Sequence, residues 1–508
     1  MIYRKQQRVL IQKRFLLAFF FVQILFGIDL LVGQEINNNN LKTKIDTYLN
    51  ASSENGFAAS LLVAKQGDII VSKGYGWSDR KHKILNTSSS VFNIGSITKQ
   101  FTAVAILKLV EQGKLSTSYR LSKFYSQAPS DKKNITIHQL LTHTTGISPA
   151  TGGFRYDEAT KKQFLEEFFE AELQSVPGTK HQYANANYIL LADIIEAVSG
   201  QSYSTFLRDN FWRPLGMNHT GYKSISFGSE MISHGYYFNY TDGVWKDWGI
   251  TQEHLPDNNK HWYSIGKGDI YSTTLDLYKW HVALETNKVL SEKSKEMLET
   301  PFVAENQGGN THYAYGWATF KTKSGKKVVW HNGSNGIFFG NFVRFVDDDI
   351  VVIVLSNTIL NNDSEDVAWE ISKLISDSNY TPKPVTKLSY ELVYDFINSN
   401  TTDNPSKLIP FLEEHLNSKF TDKAVFNRIG FKRIEKEKNP AWGLELLKLN
   451  VKLFPDDGNL YDSLGDGCLN YNQKENAIKA FTKALELKPI ENCNWCKNSK
   501  EKLESLKN

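Results

Sequence analysis

The sequence predicts an α+β domain built on an antiparallel sheet, followed by a smaller all-α domain. Two observations predict the first part. Strand-like runs stand at both ends of a long stretch, Ala58-Ala59-Ser60-Leu61-Leu62-Val63-Ala64 and Asp68-Ile69-Ile70-Val71-Ser72 at one end and the segments from 315 to 356 at the other, with helical periodicity between them. A sheet closed by both ends of the domain, with the helices gathered between, satisfies that order. The third observation is a composition shift at Tyr380-Thr381-Pro382-Lys383-Pro384, after which the chain is helical by period. The expected division is 1–33 as a leader, 34–378 as the α+β domain, 379–388 as a stiff linker and 389–508 as the helical domain. A chain of 508 residues with 41% hydrophobic and 13% aromatic residues is ample for two cores.

The leader is read from charge followed by apolarity. Arg4, Lys5, Arg8, Lys13 and Arg14, offset by Asp29, account for the whole +4 formal charge of the chain. They precede Phe15-Leu16-Leu17-Ala18-Phe19-Phe20-Phe21-Val22-Gln23-Ile24-Leu25-Phe26-Gly27-Ile28, the order of an export signal ending near Gly33-Gln34. Periplasmic or extracellular localisation is the expectation. Gln23 and Asp29 disfavour an uncleaved anchor, and membrane contact is expected only if that segment stays uncleaved. The polar run Asn37-Asn38-Asn39-Asn40 then reads as a spacer. The remaining chain is neutral overall and holds no basic block of the kind that binds nucleic acid.

The chemistry begins at Ser96-Ile97-Thr98-Lys99, where a Gly-punctuated strand region gives way to the apolar-periodic run from Gln100 to Val110, with Gly113 as its stop. At a helix start, unpaired backbone N–H groups and the positive end of the helix dipole favour developing negative charge. Spacing of i,i+3 puts the Lys99 amine on the face of Ser96, so a hydroxyl and a proton acceptor are adjacent. The same S-x-x-K pattern recurs at Ser78/Lys81, Ser130/Lys133, Ser264/Lys267, Ser324/Lys327 and Ser499/Lys502. Only Ser96 has a buried helix start and distant partners; the others read as chance.

The first partner is Tyr183-Ala184-Asn185, before the apolar run from Tyr188 to Val198 that Gly200 stops. Positive charge beside a phenol favours its phenolate, which makes Tyr183 a candidate general base, while the Asn185 amide can meet a substrate carbonyl. The second partner is Trp330-His331-Asn332-Gly333-Ser334, on the first strand of a predicted antiparallel arrangement continuing through Phe342-Val343-Arg344-Phe345 and Ile350-Val351-Val352-Ile353-Val354-Leu355. Gly333 lets a backbone approach closely, and the Ser334 N–H can join that of Ser96 as an oxyanion hole. Lys323-Ser324-Gly325 is a decoy, because it belongs to a polar turn feeding Val328-Val329-Trp330. His138 and His143 suggest a metal, yet i,i+5 spacing sets them on different faces with no third ligand following, so no metal site is read.

With these elements in the order Ser-Lys, Tyr-Asn, His-Gly, the chain resembles the serine β-lactamase and penicillin-binding-protein superfamily, in its class C-like branch. The resemblance covers about residues 41 to 378. It extends to Gly74-Tyr75-Gly76-Trp77, Phe92 to Ala103, Leu140-Leu141-Thr142-His143-Thr144-Thr145-Gly146-Ile147, Pro214-Leu215-Gly216-Met217 and Ile270-Tyr271-Ser272-Thr273. It implies the β-lactamase/transpeptidase-like fold and an acyl-enzyme hydrolase needing no cofactor. Ser96, Lys99 and Tyr183 would be catalytic; Asn185, His331, Gly333 and Ser334 would bind an ester or amide substrate. Many esterases and D-peptidases of that branch carry histidine where others have the first lysine of the third motif. D,D-carboxypeptidase or β-lactamase action is the alternative, and an inactive hydrolase fold carrying an interaction module is the rival from another class. Intact side chains at Ser96, Lys99, Tyr183, Asn185 and His331 argue against the latter.

In the tail, Tyr461, Leu464, Gly465, Ala477, Phe481, Ala484 and Pro489 occupy tetratricopeptide-repeat positions, with Cys468 where an aromatic is usual. Such a tail offers a groove to a protein partner or serves as a dimerisation or stabilising appendage; the sequence leaves both open. Cys493-Asn494-Trp495-Cys496 lacks the context of a redox or zinc motif. One disulfide and one leftover thiol are expected among the three cysteines.

Overall fold

The computed structural model describes residues 38–222, 231–256, 260–360, 364–435, 440–487 and 493–507. The export-type leader and Pro489 lie outside them. The chain forms two compact units. One takes in the described parts of Met1–Ser233, Ile250–Asn357 and Ser364–Pro384; the other those of His234–Gly249, Thr358–Asp363 and Val385–Asn508.

The first unit opens with helix α1 (38–54), so the expected spacer at Asn37–Asn40 is corrected: from 38 onward it is helix. Ile45, Tyr48, Leu49 and Ser52, recurring at helical spacing, are all buried, and that apolar stripe outweighs the turn preference of the asparagines. A hairpin of β1 (Ala59–Lys65) and β2 (Asp68–Tyr75) follows, then a smaller one of β3 (Trp77–Asp79) and β4 (Ile84–Leu85). Next come β5 (Phe92–Asn93), α2 (Thr98–Glu111), α3 (Ile137–Leu141), α4 (Lys161–Glu170), α5 (Asn185–Ser199), α6 (Tyr203–Leu207) and β6 (Gly221–Tyr222). After β7 (Gly235–Asn239) and β8 (Val244–Gly249), which cluster with the other unit, come β9 (Ile270–Ser272), α7 (Thr274–Glu285), α8 (Glu292–Leu298), β10 (Val303–Ala304) and β11 (His312–Tyr313). The unit closes with β12 (Ala318–Lys321), β13 (Lys327–Ser334), β14 (Phe339–Phe345), β15 (Ile350–Ser356) and α9 (Ser364–Ser376).

Eight strands make one antiparallel sheet in the order β10-β11-β12-β13-β14-β15-β1-β2. Strands from both ends of the unit thus meet at the β15–β1 pair, with Leu62 opposite Ile353, as the sequence pattern implied. That pair lies inside the sheet and is buried on both faces, which explains its unbroken aliphatic run. Each such side chain contributes roughly 1.5–3 kcal/mol on burial. The edge strand β2 exposes residues at its start and is accordingly mixed in polarity. Helices α2 and α5 are buried on every side over most of their length: Thr98–Leu107 and Ala186–Ile195 are buried without interruption. Such helices are core elements, and polar residues among them are carried inside. A separate three-stranded sheet, β5-β9-β6, ties the segment before α2 to the segment ending at Ser272.

The second unit consists of the β7–β8 hairpin with α10 (Ser389–Ser399), α11 (Leu408–Leu416), α12 (Lys423–Glu435), α13 (Pro440–Leu453), α14 (Gly458–Asn470), α15 (Lys474–Glu486) and α16 (Asn494–Lys507). A linear boundary at 378 leaves the hairpin with the α+β domain. In the structure Phe238 packs into the core formed by Leu392, Phe396, Leu412 and Trp442, and the Tyr394 hydroxyl donates to Tyr240 O at 2.6 Å. A hairpin this exposed needs an apolar partner, and these helices supply one. α14 and α15 pack closely because Gly465 has no side chain: a Cβ there would lie 2.5 Å from the Phe481 ring. Cys493 and Cys496 form a disulfide, and Cys468 is the buried free thiol.

Candidate active site

Ser96 stands in a single 3-10 turn, Gly95–Ile97, that runs directly into α2. Its backbone is set by Gly95, whose φ of 52° is in the left-handed region that a side chain disfavours. The Gly95 N–H donates to Asn93 Oδ1 at 3.0 Å, which locks the turn to β5. Lys99, one turn into an all-buried helix, has no solvent exposure. Its Nζ is 2.9 Å from Ser96 Oγ, 2.9 Å from Asn185 Oδ1 and 3.1 Å from the Lys267 carbonyl oxygen. Burial first, then the charges of Lys267 and Arg155, hold its proton affinity well below that of an ordinary lysine.

Asn185 is the first residue of α5, and Ala184 before it is extended. The loop carrying Tyr183 is fixed from below by His143. That residue adopts φ 53° and is fully buried; its Nδ1 accepts the Ala184 N–H at 3.2 Å, and its ring lies 4.3 Å from that of Tyr183. The Lys99 ammonium is 4.9 Å from the Tyr183 ring centre. Burial pushes the Tyr183 phenol up, against a smaller downward pull from its hydrogen bond with Ser96. This reverses the electrostatic expectation drawn from the sequence. The neighbouring lysine was to stabilise a phenolate, yet desolvation disfavours that anion, and it is the lysine whose proton is loosened.

Strand β13 carries the third element. The backbone of Gly333–Ser334 abuts the turn of Ser96: a Cβ on Gly333 would lie 2.1 Å from Ile94 O and 2.9 Å from the Ser96 nitrogen, and one on Gly95 would lie 2.5 Å from the Ser334 nitrogen. His331 is 4% exposed. Its Nδ1 is 2.5 Å from the Asn332 carbonyl oxygen, so that nitrogen carries the proton and donates; Nε2, 3.1 Å from Tyr313 Oη, accepts the tyrosine hydroxyl. Burial, and then the charge of Lys99, push the imidazole down to about 3. The sequence reading set His331 against substrate; in the structure both its nitrogens have protein partners.

Ser96, Lys99, Tyr183, Asn185, His331, Gly333 and Ser334 therefore meet in one place, although they come from three separated segments. Ser324 does not: it lies at the β12–β13 turn beside Gly325, whose φ is 85°. Sequence reasoning missed Tyr313 and Arg155; Asn93 and His143 stood only within family-like segments, with no role at the site given to either beyond the metal reading rejected for His143. Tyr313 lies on β11 and reaches His331 on β13 across β12, and Gly316, three residues on, packs against α2, with a Cβ there only 2.7 Å from Lys99 O. No local pattern signals that approach. Lys267 did carry a signal, one of the S-x-x-K matches read as chance.

The family model described as Beta-lactamase matches residues 46–376. PbpX of Bacillus subtilis (strain 168), whose name places it with the penicillin-binding proteins, is 32% identical over 289 residues, 56% of this chain and 68% of its own. Among solved structures, the octameric penicillin-binding protein homologue from Pyrococcus abyssi superposes with a TM-score of 0.58 at 25% identity, covering 68% of this chain and 79% of that one. The D-amino acid amidase from Ochrobactrum anthropi SV3 shares the fold, with a TM-score of 0.57 at 21% identity over 67% of this chain and 99% of its own.

Proposed function

This chain belongs to the beta-lactamase family and is a serine hydrolase of it, and from that premise we propose that it is an exported enzyme acting through an acyl-enzyme on Ser96, with an ester or amide as substrate. The observation that carries the mechanism is the surroundings of the Lys99 nitrogen. As a neutral amine it has two N–H donors, and two acceptors await them, Asn185 Oδ1 and Lys267 O. The lone pair then faces the Ser96 hydroxyl at 2.9 Å. Lys99 takes the Ser96 proton as Oγ attacks the carbonyl carbon, and the tetrahedral oxyanion is met by the Ser96 and Ser334 N–H groups. Tyr183, protonated in the resting site, passes a proton to the leaving group and recovers one from Lys99. Water then attacks the acyl-enzyme by the same proton route in reverse. Asn185, its Oδ1 held by Lys99, turns its amide N–H groups toward the substrate.

His331 supports the ester or amide reading over β-lactam or D,D-peptide substrates. A neutral imidazole with both nitrogens engaged offers no positive charge to a carboxylate at the third motif. A short-chain p-nitrophenyl ester is therefore expected to exceed nitrocefin in kcat/KM. Faster turnover of nitrocefin overturns the preference, and efficient release of D-alanine from a muramyl peptide replaces it with the D,D-peptidase reading. The leader supports export, and the α14–α15 pair, with Gly465 against Phe481, supports a repeat-type surface for a protein partner.

A further inference from the structure

The side chain of Lys267 is the feature of the site that the mechanism above leaves unused. Its carbonyl oxygen accepts from Lys99 Nζ, the same nitrogen that touches Ser96 Oγ, so its backbone is one amine group away from the nucleophile. The side chain is 6% exposed. Among the described residues its ammonium has neither a hydrogen-bond nor an ion-pair partner, whereas an isolated buried charge is strongly disfavoured. Two carboxylates face it, and each has partners elsewhere, although Asp269 Oδ2 is buried with no hydrogen-bond partner. Asp269, fully buried, pairs through Oδ1 with Arg155 Nη1 at 3.0 Å and with Asn93 Nδ2 at 3.2 Å. Glu167 accepts the Gly152 N–H and the Tyr263 hydroxyl, each at 2.8 Å. Arg155 lies over the residue after Lys267: a Cβ on Gly268 would be 2.4 Å from its Nη2. Two cations thus lie close enough to the Lys99 amine to lower its proton affinity, and one of them, Lys267, has no direct partner for its ammonium.

We propose that Lys267, with Arg155 beside it, forms an anion subsite next to Ser96 that holds a carboxylate of the substrate. The proposal rests on the serine-hydrolase reading and narrows it to acidic esters or amides. The lysine answers to a carboxylate because its charge is largely buried and has no direct ion-pair partner, so a bound anion supplies a closer interaction than the little water that reaches it. Burial first, then Arg155, lower its proton affinity to about 8, which leaves it mostly charged at pH 7. Its position on the Ser264–Ile270 segment, rather than on β13, makes this subsite separate from the third motif.

The test compares charged and neutral esters of matched size with the full chain at pH 7, after subtracting the uncatalysed rate. One pair carries the carboxylate on the acyl chain, p-nitrophenyl hydrogen adipate against p-nitrophenyl hexanoate. The other carries it on the leaving group, 3-acetoxybenzoate against phenyl acetate. In one pair the wild type favours the acid; Lys267→Met lowers that kcat/KM ratio about 10-fold or more, and Lys267→Arg keeps it within about 3-fold. The responding pair tells which side of the scissile bond the subsite serves. Should Lys267→Met fail to fold, the wild type decides: adipate slows fluorophosphonate labelling of Ser96 and adipamide does not. Unmoved ratios, or equal protection by both compounds, overturn the subsite alone. Absence of both ester hydrolysis and labelling in the wild type overturns the hydrolase reading, and the subsite with it.

Discussion

Replacing Gly333 by alanine tests the oxyanion geometry without removing any functional side chain. The added methyl would sit 2.1 Å from Ile94 O and 2.9 Å from the Ser96 nitrogen. Both contacts are with backbone, so no flexible side chain can swing away. The strand and the nucleophile turn must part by roughly 1 Å before the methyl clears the oxygen. A shift of that size at reacting groups costs about 10²-fold, the lower end of the loss on removing one oxyanion donor, and corresponds to about 2.7 kcal/mol of transition-state stabilisation. The fall appears in kcat, because ground-state contacts through Asn185 are untouched. Overpacking of this kind also costs about 1–3 kcal/mol of stability. The control is Gly325→Ala, at a turn with φ 85° and nothing within contact distance of the new methyl; it carries backbone strain without reaching the site. The assay is steady-state hydrolysis of p-nitrophenyl acetate beside thermal unfolding of both variants. A folded Gly333→Ala enzyme with wild-type kcat would refute the assignment of the Ser96 and Ser334 N–H groups.

The other predictions concern the nucleophile, the proton route and the domain division. Ser96→Ala abolishes labelling by a fluorophosphonate; an adduct that survives, or that maps to Ser324 in the wild type, is incompatible with the site described. Lys99→Ala and Tyr183→Phe each lose about 10²-fold or more in kcat, the scale of a positioned proton carrier, and wild-type turnover removes either residue from the mechanism. Lys99 works deprotonated, so kcat/KM rises with pH through its lowered pKa; Lys267→Met, which takes away a neighbouring positive charge, moves that acid limb to higher pH, and an unmoved limb assigns it to another group. Ending the chain after Asp377 removes α10–α16 and uncovers Phe238 but keeps every proposed catalytic side chain, so hydrolysis of a small ester persists; a folded but inactive product defeats the division.

The sequence by itself determined what depends on local order. Short apolar, β-branched runs at both ends with helical spacing between them point to strands and helices, because a brief continuous apolar run suits a strand buried on both faces and the 3.6-residue period suits a helix. Ser96 and Lys99 are three residues apart on one helix start, so their meeting needs no tertiary information. The Tyr183 and His331 motifs were legible because each stands beside an element boundary marked by glycine or by an apolar run. Tertiary structure alone decided the protonation states and the company. Desolvation, which no sequence window measures, lowers Lys99 and raises Tyr183, and so inverted the expected base. Tyr313 and Arg155 come from segments far apart in the chain, beside close approaches at Gly316 and Gly268, whereas Asn93 is tied to the Ser96 turn locally, its Oδ1 accepting the Gly95 N–H. The β7–β8 hairpin clusters with the helices of the second unit for a similar reason: its partner is an apolar cluster formed about 150 residues later, against which Phe238 packs, its ring 6.0 Å from that of Tyr394. Contacts of that kind are set by which surfaces remain uncovered once local elements have formed, and only the folded chain specifies them.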